Sequence, residues 1–221
     1  MQLKKNNRLT KIAIFMVVLL IGVITCINPV YPKEQFLQHL GSLLLLVILW
    51  TDIRKNRYTI FAYSFFATFI VIHIIGARYI YTYVPYTEWI NSLFDGLSKE
   101  PIIMEKERNG YDRFVHLAFG ILVFPIIYES LNFRNIKNEG LVVAFSWTLI
   151  QTISMLYEVF EWWLTLVLSP EAANDYNGQQ GDIWDAQKDM VLALVGSTLM
   201  AILYLILIRT KRYSDVRSQQ E

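Results

Sequence analysis

Apolar residues in this chain run almost without interruption in six blocks separated by short polar stretches. The blocks are about Ile12 to Asn28, Phe36 to Thr51, Tyr58 to Ala77, Phe114 to Leu131, Leu141 to Leu164, and Met190 to Ile208. A helix rises about 1.5 Å per residue against a hydrocarbon layer about 30 Å thick, so runs of this length predict membrane-spanning helices, the second being the short one. The expected fold is all-α: a polytopic membrane protein, a six-transmembrane-helix bundle forming a single integral membrane domain over residues 1–221. The first block follows Lys4, Lys5, Arg8 and Lys11, as a secretory signal does. Because Cys26-Ile27-Asn28-Pro29 lacks a small-x-small cleavage site, it reads as an uncleaved first span.

Two connections are long, about Arg78 to Arg113 and Thr165 to Lys188. In the first, Trp89, Ile90, Leu93, Phe94 and Leu97 share one helical face and follow Tyr79, Tyr81, Tyr83 and Tyr86. This predicts a short interfacial helix, acting as an anchor or as a lid.

Composition agrees: 54% of residues are hydrophobic and mean hydropathy is +0.35, too apolar for an ordinary soluble domain. The net charge of +1 points to no nucleic acid and no acidic partner. Charge placement is more informative. With the N-terminus inside, the inner segments hold thirteen Lys and Arg residues and the outer segments five, with Arg78 and Arg113 at outer span ends. Cytoplasmic loops carry the excess, so both termini are expected in the cytoplasm of a cell bounded by an inner membrane. The single Cys26 excludes an internal disulfide and argues against a cysteine-built metal site.

Threaded this way, His39, His73, Asp112, His116, Glu158, Glu161, Asp182, Asp185 and Asp189 all fall toward the outer end. Ionisable groups at membrane depth are costly and usually face a bundle interior or a wet cavity, so their collection predicts a built site. Asp112 and His116 are four apart on one helical face, where a carboxylate can orient an imidazole or share a metal with it; Asp112 is also a candidate helix cap. Glu158 and Glu161, three apart, oppose the macrodipole near a helix C-terminus and need a cation, a proton or a metal as partner. Asp182 and Asp185 read as an N-cap and a first-turn acid, while Asp189 lies one turn deeper. His73 matches the depth of His116, and His39 reads as interfacial.

The blocks His73-x-x-Gly76-Ala77-Arg78-Tyr79, Tyr111-Asp112-Arg113-x-x-His116, Glu158-x-x-Glu161-Trp162 and Gly181-Asp182-x-Trp184-Asp185-Ala186-Gln187-x-Asp189-Met190 together resemble the YjdF-type bacterial inner-membrane proteins. The last three blocks are more distantly similar to the VanZ-like pattern, matching it at Asp112, His116, Glu158 and Asp185. Arg113, Glu161 and Asp189 stand where that pattern has lysine, glutamine and asparagine. The resemblance points to the cell envelope without implying a reaction.

Imidazole plus carboxylates without thiolates suit zinc, manganese or magnesium. The expectation is a metal-dependent hydrolase or transferase working at the outer face on an amphiphilic, lipid-linked envelope substrate that enters from the membrane lipid. His116, Glu158 and Asp185 are the expected metal ligands, Glu161 and Asp189 the candidate catalytic groups, and Arg78 and Arg113 the candidate substrate anion binders; His73, Asp112 and Asp182 are further candidate members. The alternatives are a non-catalytic accessory protein of the envelope and a proton-coupled transporter. Transport is disfavoured because the first span carries no ionisable group and the inner halves of all six are nearly charge-free.

Overall fold

The computed structural model describes residues 2–94, 109–134, 136–167 and 180–217. These form the helices α1 (Gln2–Thr25), α2 (Pro32–Lys55), α3 (Ile60–Arg78), α4 (Tyr86–Leu93), α5 (Tyr111–Leu122), α6 (Phe124–Asn132), α7 (Glu139–Val167) and α8 (Asp185–Arg217). Six helical stretches are long and apolar enough to cross a membrane: α1 from Asn7, α2, α3, α5 with α6, α7, and α8 as far as Lys211. The chain is therefore an all-helical integral membrane protein. Within the fourth span the helix breaks at Val123, because Pro125 in the first turn of α6 supplies no N–H and crowds the preceding turn.

The helices outrun the apolar blocks that announce them. α2, expected to be the short span, is 24 residues long. Pro32 is tolerated in its first turn, and Arg54 and Lys55 in its last turn complement the helix dipole, so polar residues extend it at both ends. The first span ends earlier than the apolar pattern implies, at Thr25. The short helix in the first long connection is α4; Leu97, expected on its apolar face, lies outside the described residues, as do Lys99, Lys106 and Arg108.

α3 is the hub. Tyr63, Phe66, Ile70 and Ile74 are at most 2% exposed, and α3 packs on α1, α2, α5 and α6. α8 packs on α5 and α7. Chains such as Leu44, Val47, Leu199 and Ile206 face outward, where lipid is the natural solvent. Contacts between consecutive elements define two ends of the bundle. Thr25, Gln35 and Arg78 meet at one end; Lys11, Asp52, Tyr58 and Ser130 meet at the other.

That second meeting revises the expectation that the first span lacks an ionisable group. Lys11 is fully buried inside it, and its Nζ donates to Asp52 Oδ2 at 2.6 Å, to Asn56 Oδ1 at 2.9 Å and to the Tyr58 carbonyl at 2.6 Å. All three ammonium protons are used. Asp52 Oδ1 accepts the Arg57 and Tyr58 backbone N–H groups, and Glu129 accepts the N–H and hydroxyl of Thr59 at the start of α3. Sequence alone reads Lys11 as a loop charge because its partners lie more than forty residues away. Lys11→Met strands the Asp52 carboxylate and is expected to cost about 3–5 kcal/mol, with Lys11→Met/Asp52→Leu regaining most of it. Thermal unfolding in detergent reads both; equal stability of wild type and single variant would refute the pairing argument.

At the contact of α5 with α8 two glycines interlock. A Cβ on Gly120 would stand 2.5 Å from the Ala193 carbonyl oxygen, and one on Gly196 2.5 Å from that of Leu117. Small residues let backbones approach where lipid offers no hydrophobic drive between helices. Gly120 is four residues below His116, and Gly196 is seven below Asp189, so this interlock fixes how the polar ends of the two helices meet.

Candidate functional site

α5 starts at Tyr111, with Gly110 before it and no side-chain cap. Asp112 is thus a first-turn residue and not the N-cap. One turn on, His116 Nε2 lies 3.8 Å from Asp112 Oδ1. α7 brings Glu158 Oε1 to 3.3 Å from the same nitrogen, without the alignment of a hydrogen bond. α8 brings Asp189, so that Asp112, His116 and Asp189 each offer a ligand atom within 4.8 Å of the other two. Asp185 and Asp189 lie one turn apart on α8, both buried. Glu161 accepts from Tyr157 and stands in the field of Asp112, Glu158 and Asp189.

All six of these side chains are withdrawn from solvent, from 2% exposed for Asp189 to 9% for Glu161. The surrounding charge does not balance. Five carboxylates converge, and among the described residues Arg113 reaches them, 3.8 Å from Asp185. Glu158 Oε1 and Asp189 Oδ1 are buried with no hydrogen-bond partner among the described residues. A buried carboxylate oxygen left bare costs far more than a surface one, so the cluster calls for protons or a cation. Ligands about 2.1 Å from a tetrahedral ion stand roughly 3.4 Å apart, which is the spacing of His116 and Glu158.

Above the cluster, Asp182 lies outside the span. Its Oδ2 accepts from Arg113 and, at 2.6 Å, from Lys188, while its Oδ1 accepts from the Trp184 N–H at 3.0 Å. Asp182 therefore forms a turn before α8, which itself starts at Asp185. The Lys188 ammonium, the Trp184 N–H and the Arg113 guanidinium hold its carboxyl at about 2. A depressed carboxyl contributes its ties fully above the ordinary value of 3.8 and loses them as pH falls through about 2. Lys188 is thus expected to stay tied down at pH 5, which lysine side-chain NMR on labelled protein checks; a freely rotating ammonium at pH 5 would contradict it.

Three candidate residues lie elsewhere. Arg78, expected to bind a substrate anion, donates to the Thr25 and Ile27 carbonyls and so closes the C-terminal end of α1. Orphan carbonyls at a helix end take a nearby donor, and this places Arg78 at the α1 end, away from the acidic cluster. His73 bonds Tyr81 through Nδ1, and His39 joins Gln35 at 3.0 Å and Ser42 at 3.2 Å, in a separate polar seam between α2 and α3. Sequence depth alone cannot tell which helix pair a histidine faces. Tyr157 was missed, although its spacing of four from Glu161 was a usable signal.

The two long connections are clasped beside the site. Asn109 N–H donates to Gln180 Oε1 at 2.8 Å, Gln180 Nε2 returns to the Asn109 carbonyl at 3.1 Å, and Asn109 Nδ2 donates to the Val84 carbonyl at 2.8 Å. Tyr86 at the start of α4 accepts the Gly110 N–H at 3.2 Å. α4 is therefore tied to the entry of α5. Between α7 and α8 lies a cleft of about 320 Å³, lined by Glu158, Glu161 and Asp185 and by the apolar Met155, Val159, Trp162 and Met190.

Residues 10–210 match the family described as predicted membrane protein, DUF2238. The chain belongs to that family. The chain is also similar to the inner membrane protein YjdF of Escherichia coli (strain K12), with 28% identity over 178 residues, 78% of each chain. The likeness to YjdF-type proteins thus extends well beyond the four polar blocks, to most of the sequence. The VanZ-like comparison rests on the short motifs alone. No solved structure matches the chain.

Proposed function

We propose that this DUF2238 protein is a membrane-embedded hydrolase or transferase, dependent on a divalent cation and acting on an amphiphilic envelope substrate. The observation that carries the reading is the convergence of His116, Asp112, Asp189 and Glu158 from three helices, with two buried carboxylate oxygens left without a hydrogen-bond partner among the described residues. One imidazole among several carboxylates favours manganese, magnesium or zinc, in a donor set leaning to the harder ions. A cation held there supplies Lewis acidity. Asp185 positions Asp189, and Glu161, steadied by Tyr157, is the group to take a proton from attacking water.

The cleft between α7 and α8 supports an amphiphile as substrate. Its acidic wall leads to the cluster, and its apolar wall includes Val159 and Trp162, which are exposed on the side of the bundle. A lipid-linked molecule can enter there without leaving the bilayer. Positive residues gather at the opposite end, in Arg54, Lys55, Arg57, Arg134 and Lys137, so the site end is the extracytoplasmic one, both termini are cytoplasmic, and the membrane is the bacterial inner membrane.

The test is elemental analysis of the purified protein, with turnover of a phosphate-linked envelope lipid measured before and after chelation. About one divalent ion per chain, and activity that disappears with a chelator and returns with manganese, magnesium or zinc, are the expected results. Full turnover by metal-free protein would end the metal-dependent reading. A protein that binds the cation and acts on no envelope lipid would instead have the accessory role.

A further inference from the structure

A second concavity flanks α8 and takes no part in the reading above. It is a groove of about 390 Å³ between α5 and α8, lined by Arg113, Gln187, Lys188, Val191 and Leu192. Two cations at its head share Asp182 Oδ2, whose partner oxygen is engaged by the Trp184 N–H. Asp185, the next carboxylate, pairs with Arg113 at 3.8 Å, a longer contact than a hydrogen bond. The Arg113 Nε–H is buried with no acceptor among the described residues. The Lys188 ammonium gives one of its three N–H groups to Asp182, which leaves donors at the groove head for an acceptor-rich group.

Below that head the lining turns apolar. Val191 is 53% exposed, and Val191 and Leu192 continue α8 into its span, which begins at Asp185. Lys188 is in the first turn of that span and its side chain is 48% exposed, at the level where a headgroup lies and where a lysine stem can reach for it. Cations above an apolar strip at the membrane boundary complement one class of molecule. A soluble anion leaves the strip unused, and a neutral lipid leaves the cations unused.

We infer that the groove headed by Arg113 and Lys188 binds the phosphate headgroup of an anionic lipid of the surrounding bilayer, with the acyl chain along Val191 and Leu192. A phosphate monoester offers three acceptor oxygens, enough to take the Arg113 fork and the Lys188 ammonium together while Asp182 holds both in place. The inference does not depend on the metal reading: it holds whether the bound lipid is substrate or a fixed annular partner.

Native mass spectrometry of the detergent-purified full chain tests it, with dioleoyl phosphatidic acid, dioleoyl phosphatidylcholine and inorganic phosphate as probes. Wild type is expected to retain phosphatidic acid over phosphatidylcholine, with Lys188→Gln weakening it by roughly tenfold and Lys188→Arg restoring it. Lys188 is exposed, so these variants keep the fold; Arg113→Gln, which also releases Asp185, is read only beside an unchanged gel-filtration profile. Equal retention of the two lipids, or phosphatidic acid binding untouched by Lys188→Gln, overturns the inference. Displacement of the lipid by an equal concentration of inorganic phosphate makes the groove a soluble-anion site and overturns it too. Metal content of the same samples separates the two proposals: a metal-free wild type that still retains phosphatidic acid ends the metal reading alone.

Discussion

His116→Ala is expected to empty the protein of divalent metal, lowering affinity by at least about 100-fold, since loss of an outer-shell partner alone already costs about 10–100-fold. The imidazole is the one nitrogen in the cluster and stands between Asp112 Oδ1 at 3.8 Å and Glu158 Oε1 at 3.3 Å. Its removal leaves acids facing one another at a site where carboxylates already outnumber the cation that reaches them. Glu158→Gln keeps shape but loses a charge, and is expected to reduce metal content while leaving the fold intact. Asp185→Asn acts through Asp189 and is expected to weaken binding less than either. Elemental analysis of the four proteins side by side gives the order; metal retained at wild-type level in His116→Ala would remove the imidazole from the site.

The second large effect concerns helix packing. Gly120→Ala is expected to destabilise the bundle by about 1–3 kcal/mol and to lower metal content with it, and Gly196→Val by more. The atoms a new Cβ meets are backbone, the Ala193 carbonyl oxygen at 2.5 Å and the Ser197 nitrogen at 2.7 Å, so no side chain can rotate away. α5 and α8 must separate, and separation moves Asp189 from His116. Gly22→Ala is the control, because its Cβ would meet only Ile74 Cδ1 at 3.8 Å, an ordinary contact. Thermal unfolding and metal content measured together decide the matter: Gly120→Ala behaving like Gly22→Ala would show that the close approach does not set the site.

These two effects also mark what the sequence can and cannot convey. Continuous apolar runs reveal spans because a bilayer's thickness is a hard length, and intramembrane acids stand out because burial of charge is costly. Asp112, His116, Glu158, Asp185 and Asp189 were therefore legible as members of a polar end, and the structure brings them together. Partner choice was not legible. His73 has the depth of His116 but faces α2, and Arg78 closes the end of α1, because helix rotation and neighbour order are set by packing such as the Gly120 and Gly196 contact. Lys11 was misread for the same reason: its three acceptors come from α2 and the turn after it.

That ammonium has a bearing on biogenesis. When α1 first enters the bilayer, Lys11 has no acceptor from its own helix, and all three become available only once the ribosome has delivered Tyr58. The first hairpin is thus expected to settle its depth only as the third helix begins to emerge. Nascent chains arrested just before Asp52 should slip in depth on glycosylation mapping, and chains arrested well past Tyr58 should hold one register; identical registers at both lengths would disprove the dependence.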